Sequence, residues 1–151
     1  MLKIIRTDST NSDFVELVKM LDADLAIRDG DEHDFYNQFN KIDMLKNVVV
    51  AYENDLAISC GAFKSLETGV VEIKRMYTLP EARGKGLATK VLTELEKWAA
   101  ELGFEKTLLE TGKKQPEAIA LYGKNGYRII PNYGQYAGIE NSVCFEKSLN
   151  P

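Results

Sequence analysis

Histidine is nearly absent from this 151-residue chain. His33, in "DGDEHDF", is the only one, which excludes a metal centre built from several imidazoles. Cysteine is almost as scarce. Cys60 in "LAISCGAF" and Cys144 in "SVCFEK" both fall in alternating apolar runs. They make no disulfide framework, lack metal-ligand spacing and read as buried free thiols, so no metal is expected. A Cys–His nucleophilic pair is open on composition alone, but His33 stands in an acidic, loop-like stretch and reads as a solvated surface residue. Long apolar runs are missing too: none approaches the ~20 residues that cross a bilayer. The opening "MLKIIRTDSTNSD" turns polar too soon for a secretory leader, so no membrane partner and a cytoplasmic location are expected. Nor is there a basic surplus. Lys and Arg number 19 against 23 Asp and Glu, a net charge of −4, which argues against nucleic acid as the main partner.

What is present is an ordinary globular balance, in a length that suits one domain over residues 1–151. "LKIIR" (2–6) reads as a strand. "STNSDFVELVKMLDADLAIRD" (9–29) offers cap residues before a helical pattern of Phe14, Val15, Leu17, Val18, Leu21 and Leu25. "EHDFYNQFNKID" (32–43) gives a second, weaker helix, with Phe35, Tyr36 and Phe39 facing a core or a ligand. Three strands follow at 47–54, 55–66 and 69–79, joined by tight turns at "END" and "ETG" and therefore antiparallel. Leu87, Val91, Leu92, Leu95, Trp98, Ala99 and Leu102 then define one helical face, stopped by Gly103. A strand "EKTLLET", a helix opened by Pro116 and ended at Asn125-Gly126, a strand "YRII", the loop "PNYGQYAG" and a strand "SVCFEKSL" complete the order. The pattern β-αα-βββ-α-β-α-ββ implies an α/β domain with a mixed sheet.

The glycines of "EARGKGLATK" (81–90) stand where a strand gives way to a helix. Helix N-terminal amides have no internal partners and lie at the positive end of the dipole, and glycine lets them approach an anion closely. Arg83, Lys85 and Lys90 add positive charge. A Walker loop would need glycine at position 79, which is Leu, and a dinucleotide fingerprint would need Gly or Ala at position 89, which is Thr. Both nucleotide motifs fail.

As a whole, "EIKRMYTLPEARGKGLATKVLTELEKWA" resembles the acyl-CoA-binding core of the GNAT superfamily of N-acyltransferases, with Arg83, Gly86 and Ala88 in the [Q/R]-x-x-G-x-[G/A] signature. "EAIALYGKNGYR" is similar to the family's second segment, so the resemblance runs through essentially the full chain. It implies a mostly antiparallel mixed sheet split around the coenzyme arm, with helices on both faces. It also implies acetyl-CoA as co-substrate. The backbone of Arg83, Gly84, Lys85, Gly86, Leu87 and Ala88, with Thr89 beside them, would hold the pyrophosphate. Met76, Tyr77 and Thr78 would pair with the pantetheine arm along a bulged strand. Thr78 stands where relatives usually have a hydrophobic residue, and Gln115 where they commonly have the Asn that bonds the arm.

Acetyl transfer to an amine needs a base for the amine, a donor to the thioester carbonyl and an acid for the departing sulfur. The resemblance places Glu72 as base, with Glu110 in reserve, the Met76 amide at the carbonyl and Tyr122 as acid. Phe35, Tyr36, Phe39, Tyr133, Gln135 and Tyr136 are expected to flank the acceptor side, and Arg75 and Lys64 to attract an acceptor carboxylate. The expectation is an N-acetyltransferase acting on a small amine such as an amino acid. Acetylation of a protein N-terminus or lysine, and a non-catalytic acyl-CoA sensor, stay open as alternatives, as does a homodimer.

Overall fold

The computed structural model describes residues 1–29 and 45–149; the helix expected over 32–43, with His33, Phe35, Tyr36 and Phe39, lies outside them. Strand β1 (Leu2–Thr7) precedes helix α1 (Ser12–Asp29). The Asn11 side chain accepts the Phe14 amide at 2.9 Å and so caps α1. Strands β2 (Asn47–Glu53), β3 (Leu56–Glu67) and β4 (Val70–Thr78) follow as an antiparallel meander. At the β2–β3 turn Asn54 and Asp55 have φ of 51° and 70°, the two left-handed residues that a tight hairpin requires. Helix α2 (Leu87–Glu101), strand β5 (Lys106–Gly112), helix α3 (Pro116–Lys124) and strands β6 (Arg128–Ile130) and β7 (Ser142–Ser148) complete the described elements.

The strands form one sheet in the order β1-β2-β3-β4-β5-β7-β6. Every pairing is antiparallel except β4 with β5. The mixed, mostly antiparallel sheet expected from the resemblance is the one observed.

Helices cover both faces. Phe14, Leu17, Val18 and Leu21 of α1 pack with Val48, Val50, Ile58 and Cys60. On the opposite face Val91, Leu92, Leu95 and Ala99 of α2 and Tyr122 of α3 pack with Val49, Ala51, Phe63, Val71 and Ile73. Alternation along β2 sends Val48 and Val50 to one core and Val49 and Ala51 to the other, as a strand buried on both faces demands.

Two irregularities in β4 position the site. Parallel pairing with β5 covers only Val70, Val71 and Glu72, opposite Lys106, Thr107 and Leu108. Beyond Glu72 the sheet opens. On the other side, register with β3 slips between Cys60↔Tyr77 and Ala62↔Lys74, which leaves an extra residue in β4 around Arg75 and Met76. Arg75 takes φ 60° there, left-handed in a residue that ordinarily avoids that region. The bulge turns Met76 onto the α2 side, into space left by Gly61: a Cβ at Gly61 would overlap Met76 Sδ and lie 2.9 Å from Leu95 Cδ1.

Gly61 therefore makes room for the bulge. Replacing it by valine should cost about 1–3 kcal/mol, the usual penalty for overfilling a packed core. Urea unfolding of Gly61→Val is the check; an unchanged midpoint would mean that Met76 moves aside freely.

Candidate active site

Two cavities meet where the sheet opens. The outer, of about 420 Å³, is lined by Met76, Tyr77 and Thr78 of β4, Arg83, Gly84, Gly86, Leu87, Ala88 and Thr89 at the start of α2, and Gln115, Ala118, Leu121 and Tyr122 of α3. The inner, of about 120 Å³, is lined by Glu72, Lys74, Arg75 and Met76 of β4, Glu110 and Thr111 of β5, Leu21 and Leu25 of α1, and Tyr122 and Tyr136. Leu21, Met76, Gln115, Ala118 and Tyr122 line both. The junction is where a group held in one cavity meets a group held in the other.

Backbone geometry suits the outer cavity to an anion. Gly84 and Gly86 have φ of 82° and 79°, and a Cβ at either would meet nothing within 4 Å, so this backbone faces open space. Gly86 is the N-cap of α2 and no side chain caps the helix, which leaves its first amides for a ligand. Arg83 is fixed rather than loose: Nε donates to the Thr78 carbonyl at 2.9 Å, and the guanidinium lies 5.6 Å from the Tyr77 ring centre. Asn125, at the end of α3, donates to Thr89 Oγ1 at 3.2 Å and ties the two helical walls together.

The expected coenzyme residues thus come together on one cleft, with one exception. Lys85 is exposed and does not line it. Sequence reasoning missed Asp24, Glu117 and Lys124, which also border the cleft. The open sheet edge, the uncapped helix start and the bare glycines fit a long ligand with an extended arm and a phosphate group, which is the chemistry of acetyl-CoA.

The inner cavity carries charge of both signs. Glu72 is 1% exposed. Its Oε2 accepts from the Tyr133 hydroxyl at 2.6 Å, and Lys74 Nζ lies 3.3 Å and Lys64 Nζ 3.9 Å from its Oε1. Oε1 is buried and accepts no hydrogen bond among the described residues. Burial pushes the Lys74 pKa down, opposed by the Glu72 charge. Burial also pushes the Tyr133 and Tyr136 phenols well up, reinforced by Glu72. Glu110 faces the same cavity from β5, and its Oε2 accepts from Ser142 Oγ at 2.7 Å.

Tyr122 is 6% exposed and packs edge-on to Tyr127 at 5.7 Å. Burial raises its pKa far above the ordinary phenol value, with a further contribution from Glu110, so the hydroxyl keeps its proton throughout the neutral range.

Of the two cations expected to attract an acceptor, Arg75 is pinned, its Nη1 2.6 Å from Asp22 Oδ1 on α1. Lys64 stands at the margin with a side chain 38% exposed. A further cation in the cavity is Lys74, beside Glu72, which sequence reasoning did not single out. The signal was "EIK": alternate residues of a strand share a face, so Glu72 and Lys74 point together. Of the aromatic loop, Tyr133 and Tyr136 reach the site while Gln135 stays exposed.

Two joined cavities, one with a glycine-lined helix start, suit an enzyme that holds a phosphate-bearing donor against a second ligand. Residues 14–127 match the acetyltransferase (GNAT) family. An IAA acetyltransferase of Azospirillum brasilense is 36% identical over 102 residues, 67% of each chain. A protein of Klebsiella pneumoniae subsp. pneumoniae MGH 78578, provisionally named an acyl-CoA N-acyltransferase, superposes with TM-score 0.83 at 30% identity over 99% of this chain and 98% of its own. A GNAT family acetyltransferase of Elizabethkingia anophelis, solved with acetyl-CoA bound, has TM-score 0.71 at 15% identity over 97% of both chains. The chain belongs to the GNAT acetyltransferase family and is an acetyl-CoA-dependent acyltransferase. No helix among the described residues is long and apolar enough to cross a membrane.

Glutamate at position 86 would put a side chain and a negative charge into the phosphate cradle. Gly86→Glu should fold, at a cost of about 1–2 kcal/mol for the left-handed backbone, and lose measurable acetyl-CoA binding by calorimetry. A folded variant of undiminished affinity would show that Gly86 serves only the turn.

Proposed function

We propose that this enzyme transfers the acetyl group of acetyl-CoA directly to the primary amine of a small molecule, an amino acid or similar compound. The observation that supports this best is the junction itself. Met76 and Tyr122 border both cavities, with Glu72 on the acceptor side. The inner cavity, at about 120 Å³ and walled by Tyr136, Leu21 and Leu25, suits a compact acceptor better than a protein chain. Its lining also offers both signs of charge: Glu72 and Glu110 for an ammonium, Lys74 for a carboxylate.

In this reading Glu72, which lines the inner cavity, takes the amine proton. Loss of that proton is required because an alkylamine is almost wholly protonated at neutral pH. The Met76 amide, carried on the bulge, donates to the thioester carbonyl as negative charge develops there. Tyr122, which lines both cavities, serves the departing sulfur in this reading. Because burial holds its proton firmly, it stabilises the developing thiolate as a hydrogen-bond donor and completes the transfer only as charge accumulates. Gln115, at the mouth of α3, lines both cavities and would bond the amide-rich coenzyme arm.

Tyr122→Phe keeps the ring and its packing but removes the donor, so kcat should fall by roughly 10²–10³-fold, as for loss of one preorganised donor. The KM for acetyl-CoA should hold. A variant within a few-fold of the parent would make Tyr122 a core residue only.

The function itself is tested by an acceptor screen, reading thiol released from acetyl-CoA over amino acids, polyamines, aminoglycosides and peptides. Turnover with small carboxylated amines is the expected result. Turnover with peptides alone would favour a protein acetyltransferase, and tight coenzyme binding without any turnover would favour a sensor.

A further inference from the structure

We infer that Tyr133 is a positioning residue for the general base: its hydroxyl, bonded to Oε2, fixes the orientation of the Glu72 carboxylate at the acceptor cavity. This deepens the proposed function and rests on the reading of Glu72 as base. The observations are specific. Glu72 is 1% exposed, and its two oxygens are held from different sides, Oε1 by Lys74 at 3.3 Å and Oε2 by Tyr133. Its Oε2 is the only oxygen of the pair with a hydrogen bond among the described residues, from Tyr133 at 2.6 Å. That distance is in the range of the shorter, stronger bonds that hydroxyls make to charged oxygen. Oε1 is left toward Lys74, a residue that lines the acceptor cavity.

Tyr133 is itself held. Its ring stands edge-on to Tyr136, 5.7 Å between centres, within a turn braced by a bond from Asn132 Nδ2 to the Ile139 carbonyl at 2.9 Å. Tyr133 borders neither the coenzyme cleft nor the acceptor cavity, so it acts through Glu72 and not on a substrate. The loop that carries it joins β6 to β7 and reaches β4 because β5 has parted from β4 beyond Glu72.

A hydroxyl that donates to a carboxylate favours its charged form, and Phe at 133 removes that donor. Tyr133→Phe should therefore move the acid limb of the kcat/KM profile to higher pH. The KM for acetyl-CoA should not change. A purely structural role would lower the rate equally at all pH values and leave the limb in place, which would overturn the proposal. Should Tyr133→Phe fold poorly, 3-fluorotyrosine at position 133 keeps the shape and strengthens the donor, and the limb should then move to lower pH; an unmoved limb there also overturns it. Glu72→Gln separates this from the underlying assignment. If that variant keeps the acid limb, Glu72 is not the base. If it loses the limb while Tyr133→Phe leaves it in place, the base stands and the positioning role falls.

Discussion

Strand β4 must belong to a sheet and yet leave one edge unpaired. Its first residues pair with β5 only as far as Glu72, and its later residues stay with β3 through a bulge at Arg75 and Met76. Everything functional in this fold follows from that divergence. The unpaired edge leaves room for an extended arm beside it, and Met76 of the bulge and Tyr122 of α3 border both cavities. The strain of a left-handed arginine costs on the order of 1–3 kcal/mol and persists because its surroundings over-determine it. Arg75 is held by Asp22 of α1, and Met76 fills the space above Gly61.

The acceptor side is governed by the electrostatics of a buried carboxylate. Burying a carboxylate costs several kcal/mol unless charge and hydrogen bonds compensate. Around Glu72 those partners come from three places: Lys74 on the same strand, Lys64 on β3 and Tyr133 from the β6–β7 loop. Burial holds the Lys74 pKa down and the neighbouring phenols up, with the Glu72 charge opposing the first and reinforcing the second. Against the Tyr122 ring, Tyr127 accepts from Thr107 of β5 and donates to Glu96 of α2, and Lys147 of β7 joins the same carboxylate.

Much of this was legible in the residues. The "END" turn, the α2 face from Leu87 to Ala99, Pro116 at the start of α3 and the bare glycines at 84 and 86 are local patterns, and local patterns survive folding. The coenzyme cleft was legible for the same reason, because most of its residues come from one continuous strand–loop–helix stretch. The acceptor pocket was less so. Lys74 reads as a solvated strand residue until the sheet above it is known to part, and Arg75 as a free cation until α1 brings Asp22 to it. The Tyr133–Glu72 bond joins residues 61 apart, beyond any periodicity. The expected second helix, with its aromatic residues, lies outside the described residues.

The central claim is that the parted edge of β4 is where the donor's arm binds. Amide hydrogen exchange resolved at Met76, with and without acetyl-CoA, tests it most directly. The account predicts that saturating acetyl-CoA slows exchange at Met76 by at least about tenfold, because that amide acquires a partner or loses its access to water. Acetyl-CoA bound at full stoichiometry, slowing exchange at Gly86 and Leu87 while leaving Met76 unchanged, would contradict it.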